Sequence, residues 1–398
     1  MVTLALGDGR STAAPVRRPA EFWVECCDSA DVAESLRAAW DDLAWHAIES
    51  NPFYESWMLL PAWRALAGSQ HIRLACVYRN GARPQDPPEL CGLVPLVRER
   101  YGGWPVDAWS SWQHPYCYLC TPLLRQGVAV EALRALWTWM QSEPGGPALW
   151  ELPHIDGGGL FQQALIEVAN ERAAALHVAH QYNRAMLAPA ETAEAYCAAT
   201  MTCHNRQELR RQRRRFNDRG HVEVRTSTPG ERIEPWIEHF LSLEAAGWKG
   251  LEQTAFAAAE ADAAYFRAIV TAAAERNQAV FLGLFLDDRP VALKVNFLAG
   301  DGGFAFKIAF DESFAKFSPG VQLELENIDW VHRQCGLKWM DSCAKPGHFM
   351  IGRLWRERRT IQRVVVSTGS WRGNLMLGLL PFARAVKSLV KPKKDASP

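Results

Sequence analysis

The chain has no surplus of either charge. Its 398 residues include 44 Lys and Arg against 44 Asp and Glu. The molecule as a whole therefore sets up no field that would draw it to nucleic acid or a membrane, and any electrostatic argument must be local. No run approaches the roughly 18 apolar residues of a membrane-spanning helix. The opening residues, MVTLALGDGRSTAAPVRRPAEF, have neither the basic start nor the long apolar core of a secretory signal. The ten cysteines are scattered and suggest no disulfide framework, so reduced thiols in a cytoplasmic protein are expected. Cys117-Tyr-Leu-Cys120 has CxxC spacing, but no second pair or His partner follows at metal-site spacing, and no metal is expected. Also missing is any Ser or Cys triad at a persuasive spacing.

What is present describes an ordinary globular protein, with 48% hydrophobic and 22% charged residues. The length exceeds one typical core and points to two domains. Residues 1–20 are rich in Gly, Pro, Ala and Arg and read as a disordered lead. EFWVECC reads as a strand, and DVAESLRAAWDDLAWHA as an amphipathic helix capped by Ser29 or Asp31. An apolar helix with a Pro follows, then the hairpin pattern IRLACVYRN–ELCGLVPLVRER. An aromatic-rich span (Trp104, Trp109, Trp112, His114, Tyr116, Tyr118) is either a substrate platform or core packing in irregular structure. Helix, strand, helix and strand complete a first unit over 21–190.

Residues 191–220 form a linking segment whose arginine-rich part reads as one helix. There Arg206, Arg210 and Arg214 share a face, either solvated or clamping substrate phosphates. Nucleic acid is disfavoured as its ligand, because the whole chain is neutral and carries no reading motif. The second unit, 221–370, contains the most informative stretch. VFLGLFL, VALKVNFLA and FAFKIAF are three strands separated by Asp287-Asp288-Arg289-Pro290 and by the Gly-rich turn at Gly300. Ser318-Pro319-Gly320 then opens a helix with apolar residues at Val321, Leu325, Ile328 and Val331, followed by the strand LKWMDSC. A helix start after a Pro-Gly turn exposes unpaired N–H groups and the positive end of the dipole, a setting suited to a diphosphate. Residues 371–398 read as a helix with a basic tail. Lys387, Lys391, Lys393 and Lys394 suit peripheral contact with anionic lipid headgroups.

The meander, the SPG turn and the helix after it resemble the GNAT N-acetyltransferase fold. More narrowly, KIAFDESFAKFSPG together with LEAAGWKG resembles the BioF2-like or CelD-like acetyltransferases, a group related to the FemABX aminoacyl transferases. The turn departs from the usual GNAT signature, which has Gln or Arg ahead of x-x-Gly-x-Gly/Ala. The resemblance implies an α/β (α+β) fold of mixed, mostly antiparallel sheets flanked by helices, in two tandem GNAT-like domains, the second catalytic. It also implies transfer of an acyl group, acetyl above all, from acyl-CoA to an amine or hydroxyl of a small molecule, glycan or peptide. Envelope or polysaccharide biosynthesis would be a fitting setting.

On this reading Ser318, Gly320, Val321 and Gln322 would cradle the donor diphosphate. A strand N–H near Lys307 and Ile308 would polarise the thioester carbonyl. Asp341 at a strand end, or Glu244, would take the acceptor's proton, with His348 a further acid/base candidate by placement. Trp248, Lys249, His348 and Arg353 would contact substrate. Two rivals keep the fold: a FemABX-type aminoacyl-tRNA-dependent transferase and a non-catalytic scaffold.

Overall fold

The computed structural model describes residues 21–81, 85–103 and 106–379. The lead expected over 1–20, Trp104, and the tail lysines from Lys387 to Lys394 lie outside the described residues. Strands β1 (Phe22–Cys27), β2 (Ile72–Arg79), β3 (Glu89–Arg100), β4 (Asp107–Ser111), β5 (Leu123–Leu124), β6 (Leu149–Asp156) and β7 (Leu176–Leu187) come from the first half. The second half supplies β8 (Val222–Thr226), β9 (Ala279–Leu286), β10 (Arg289–Ala299), β11 (Gly302–Phe310), β12 (Trp339–Asp341) and β13 (Glu357–Ser367).

The helices of the first half are α1 (Ala30–Glu34), α2 (Arg37–Trp45), α3 (Ser56–Leu66), α4 (Ala129–Ser142) and α5 (Leu160–Glu171). After them come α6 (Ala193–Thr200), α7 (Cys203–Asn217), α8 (Glu234–Ala246), α9 (Trp248–Leu251), α10 (Glu260–Glu275), α11 (Pro319–Arg333) and α12 (Ile351–Leu354). Residues 371–379 are helical again. The first predicted helix is broken at Ser35–Leu36 into α1 and α2, with Ser29 as the cap of α1. The linking segment holds two helices rather than one, capped by the hydroxyls of Thr192 and Thr202.

All the strands join one sheet in the order β1-β2-β3-β4-β6-β13-β7-β12-β11-β10-β9-β8, with β5 paired to β3. Read inward from either edge, the order repeats. β1, β2, β3, β4 and β6 answer to β8, β9, β10, β11 and β12. At the centre the halves exchange their last strands: β13 pairs with β6 of the first half, and β7 pairs with β12 of the second. β13 and β7 lie side by side, antiparallel, from Glu357–Met186 to Val366–Leu176. The ladders are antiparallel except at β4–β6 and β11–β12. The mixed, mostly antiparallel sheet flanked by helices is thus present, in two pseudo-equivalent halves.

Alternation along the strands explains the layers. Leu74, Cys76 and Tyr78 face one core while Ala75 and Val77 face another. Phe281 and Phe285 pack on Trp236 and Phe240 of α8, whereas Leu282 and Leu284 meet Leu323 of α11 and Phe216 of α7. One apolar core runs under α2, α3, α8 and α10 across both halves, with Trp57 against Phe297 at 5.2 Å. The hairpin between β9 and β10 turns on Asp287 and Asp288, both with positive φ (49° and 67°), a short turn suited to strand twist.

Candidate active site

The second half leaves one strand edge open. β11 pairs with β10 along its length but with β12 for only three residues, Gly302–Trp339, Gly303–Met340 and Phe304–Asp341. Beyond them the chain turns away. Ser342 donates to the Ala185 carbonyl, and Cys343 adopts a left-handed conformation (φ 53°), its N–H held by Asp341 Oδ1 at 2.8 Å. A wedge opens between residues 305–310 and the segment after Asp341. On the other side of β11 the register slips between Val295–Lys307 and Asn296–Ala305, so Phe306 is an extra, bulged residue beside the wedge.

A charged knot sits on this edge. Glu244, at the end of α8, is buried. Its Oε1 accepts from Lys249 Nζ (2.9 Å) and Lys307 Nζ (3.4 Å), and its Oε2 from the Phe256 N–H (2.9 Å). Lys249 also reaches the Ile308 carbonyl at 3.1 Å. Burial alone would raise the Glu244 carboxyl, but the two ammonium groups and the N–H outweigh it and hold it below the ordinary carboxylate value. Burial pushes the Lys307 ammonium below its usual value, with Glu244 opposing the fall. Lys307 lies over the Phe256 ring at 4.4 Å and the Tyr116 ring at 5.1 Å. The Glu244 side chain has no exposed surface, while Lys249 and Lys307 retain some. The lysines, rather than the carboxylate, can therefore touch a substrate.

A helix opens directly after Ser318, as read from the Ser-Pro-Gly turn. Ser318 is left-handed (φ 51°), and Pro319 opens α11. The first turn leaves the N–H groups of Gly320 and Val321 without intrahelical acceptors. Gln322 is not free for a ligand in the same way: its Nε2 donates to the Phe317 carbonyl (2.6 Å) and its Oε1 accepts from Arg213 (3.2 Å). Val321 lines a cavity of about 490 Å³ with His204, Phe349, Met350, Arg353 and Leu354. Val321 and Arg353, expected at the donor and the substrate respectively, thus line one cavity. A neighbouring cavity of about 480 Å³ holds Arg206, Arg210 and Arg213 beside Gln322. The arginine face is therefore 206/210/213, with Arg213 in place of the predicted Arg214. Glu194, Glu326 and Asp329 share that cavity and balance it.

Asp341 sits elsewhere than a base would. It is fully buried between Arg184 Nη1 (3.4 Å) and Arg359 Nη1 (3.2 Å) and also caps Cys343. Arg359 in turn binds Asp156 at 2.7 Å. Asp341 therefore clasps β7, β12 and β13, the exchange point of the two halves, and no proton acceptor is left for a substrate. His348 is exposed in the loop after β12. Partial burial lowers its pKa; the Glu324 carboxylate works against this, and the Lys294 and Lys249 ammonium groups add to it. Trp248 is half-exposed, its N–H bound to Glu312 Oε1 at 2.7 Å.

Sequence reasoning missed two features. One is a buried polar layer under α11. Lys294 donates to Glu324 (2.6 Å), as do Trp355 (2.9 Å) and Asn327 (3.0 Å), while Asn296 donates to Asn327 (2.7 Å). Its signal was available: Lys294 and Asn296 alternate within an apolar strand, and Glu324 and Asn327 interrupt an apolar helix face. The other is the packing of Tyr118, a residue of the aromatic span already singled out, which crosses from the first half onto Phe53 (5.6 Å) and Phe306 (5.8 Å) at the bulge. Burial raises its phenol far above the usual value, with Cys343 and Glu244 adding to the rise and Arg184 opposing it. Among the described residues no group of three or more His, Cys, Asp or Glu is arranged to hold a metal ion. No described helix is long and apolar enough to cross a membrane.

Residues 204–349 match the family model for an acetyltransferase (GNAT) domain. The match begins inside α7, so the arginine-rich helix belongs to the matched segment. The fold is also similar to that of FemX, with a TM-score of 0.54 at 10% identity over 83% of this chain and 95% of that one. It is similar as well to a conserved protein of unknown function from Bacteroides thetaiotaomicron, with a TM-score of 0.52 at 11% identity over 83% and 97% of the two chains. No curated protein matches.

Proposed function

We propose that the protein transfers an acyl group from acyl-CoA to an amine or hydroxyl acceptor by direct attack at the β11 edge. The observation that carries this reading is the wedge between β11 and β12, with the Glu244–Lys249–Lys307 knot on one wall and the start of α11 at its end. The residues fit the donor: the N–H groups of Gly320 and Val321, with Arg353, would take the diphosphate. Phe349, Met350 and Leu354 offer apolar surface in the same cavity. The acyl-CoA supplies an activated thioester.

The chain's own groups then have separate roles. The acceptor's nitrogen or oxygen bonds to the carbonyl carbon, the C–S bond breaks, and the proton leaves for a base while the thiolate is protonated. Lys307 and Lys249 face the edge and stabilise the negative charge that develops. Glu244 is a positioning residue that keeps the two ammonium groups aimed. His348, its pKa lowered chiefly by burial, would take the acceptor's proton at Nδ1, in place of its long hydrogen bond from the Ile351 N–H (3.4 Å). Asp341 is left with a structural role. The balance of three acids against three arginines beside α7 favours a compact donor over an aminoacyl-tRNA.

The test is isothermal titration of the full chain with acetyl-CoA. Wild-type protein should bind it, and Gly320→Glu should abolish binding through charge repulsion while circular dichroism stays unchanged. A Cβ at Gly320 meets the Phe310 ring at 3.3 Å, which must give by a few tenths of an ångström, so the circular dichroism spectrum is the control for folding. Equal affinity in wild type and variant would remove the turn from the site.

A further inference from the structure

A cavity of about 520 Å³ lies between the two halves, walled by the loop after β4, by β6 and β7, and by residues 343–346. Its lining is chemically one-sided. Arg184, Lys345, His114, His154, His180 and Tyr182 contribute to it, and no Asp or Glu does. Arg184 is at the floor, only 3% exposed. Its Nη2 donates to the Tyr182 hydroxyl at 2.8 Å and its Nη1 faces Asp341, yet its Nε is buried without a partner. A buried guanidinium with a spare donor favours an anionic acceptor. The charge behind it is already matched, since Arg184 and Arg359 are set against Asp341 and Asp156. Lys345, exposed at the rim beside the exposed His180, adds positive potential that nothing in the lining cancels.

The cavity also adjoins the proposed chemistry. Cys343 and Tyr118 are in its wall. Cys343 marks where β12 leaves β11, and Tyr118 packs on Phe306 at the bulge. A molecule held here would lie beside the wedge, in a cavity whose lining shares no residue with the one that holds Val321 and Arg353.

Resting on the acyl-transfer reading, we propose that this inter-half cavity is the acceptor site, and that it selects acceptors carrying a carboxylate or phosphate group bound at Arg184. The Arg184 guanidinium, with its Nε uncovered by a small shift of the floor, and the Tyr182 hydroxyl meet the anion, and Lys345 beside His180 draws it in from the rim. An acceptor without that group leaves the guanidinium donor unpaired and binds poorly.

The experiment is calorimetric titration of the full chain, without donor, with glucose 6-phosphate, glucuronate and neutral glucose. The two anionic sugars should bind and glucose should not, and the stronger of the two identifies the phosphate or the carboxylate as the preferred group. His180→Glu and Lys345→Glu should each weaken anion binding at least tenfold. Both sit at the exposed rim, so folding is not at stake as it would be for Arg184→Gln, which releases Asp341. Acetyl-CoA affinity, measured in parallel, should be unchanged in both rim variants. Anionic sugars that bind no better than glucose, or rim variants that bind them normally, would overturn the proposal. Anion binding lost instead in Gly320→Glu would place the anion at the start of α11 and overturn it as well. Acetyl-CoA titration reports separately on the acyl-transfer reading, so a failure of one is not mistaken for a failure of the other.

Discussion

The two halves of the sheet start alike and finish differently. In each, two neighbouring strands run parallel for three residues: Ala108–Ser110 against Leu149–Glu151, and Gly302–Phe304 against Trp339–Asp341. In each, a glycine stands at the head of the helix that follows, Gly127 before α4 and Gly320 in α11. After β4, however, the first half bends into residues 112–122 and fills its own splay. The Cys120 N–H there donates to the His154 carbonyl of β6 (2.6 Å), and Arg125, just beyond, is buried against Asp42 (2.5 Å) and the Leu90 carbonyl (3.0 Å). After β11 the second half runs on to Phe310 with its edge free. The loop that blocks the first splay lends Tyr116 and Tyr118 to the wall of the second. On the proposed function, one repeat is a wall and the other carries the site.

The sharpest way to break this comparison is at the two glycines. Gly320→Glu should eliminate donor binding, whereas Gly127→Ala should leave it untouched. The cost at Gly127 is in stability alone, because Ala is strained at φ 82°: about 1 kcal/mol, and a melting temperature lower by a few degrees. Donor affinity lost in both variants would mean that the halves share the donor. Next in size is Lys307→Ala. Removing the ammonium that faces the open edge should lower kcat by about 10²–10³-fold, with acetyl-CoA affinity nearly unchanged. A fall confined to KM would make Lys307 a binding group only.

A smaller effect is expected from pH. The folded-state pKa of Glu244 is depressed, so its ion pairs contribute stability that is fully present above the ordinary carboxylate value and is lost as pH falls through the folded-state value. Glu244→Gln should therefore be less stable than wild type in urea at pH 7, and the gap should narrow in acid. A gap independent of pH would mean that the carboxamide fails for shape rather than charge.

Much of the second half was legible because its cues are local. Period-two runs broken by Asp287-Asp288 and Gly300, and a Pro-Gly start to a helix, are each written within a few neighbouring residues. The exchange of β7 and β13 was not legible. Nothing in the composition of Glu357–Ser367 says that its partners lie in Leu149–Asp156 and Leu176–Leu187, about 200 residues away along the chain, since pairing at that range depends on topology. For the same reason Asp341 looked like an acid at a strand end. Its two arginines arrive from β7 and β13, and only the exchange brings them together. Glu244 and Lys249 were recognisable from LEAAGWKG, but that the lysines and not the carboxylate reach solvent follows from how α8 packs on β11.

The smallest effect tests the wall itself. Tyr118→Phe keeps the ring that packs on Phe53 and Phe306 and removes only the hydroxyl, so stability should stay within about 0.5 kcal/mol of wild type. Burial keeps the phenol neutral at any working pH, which makes it a proton donor if it acts at all. If the first half supplies shape alone, kcat should fall by less than about threefold, well short of the effect of losing a general acid. A fall of about 10²-fold, with the solvent isotope effect altered, would show that the loop that closed one splay had become part of the chemistry in the other. The division into a wall and a site would then give way to a single active site built from both halves.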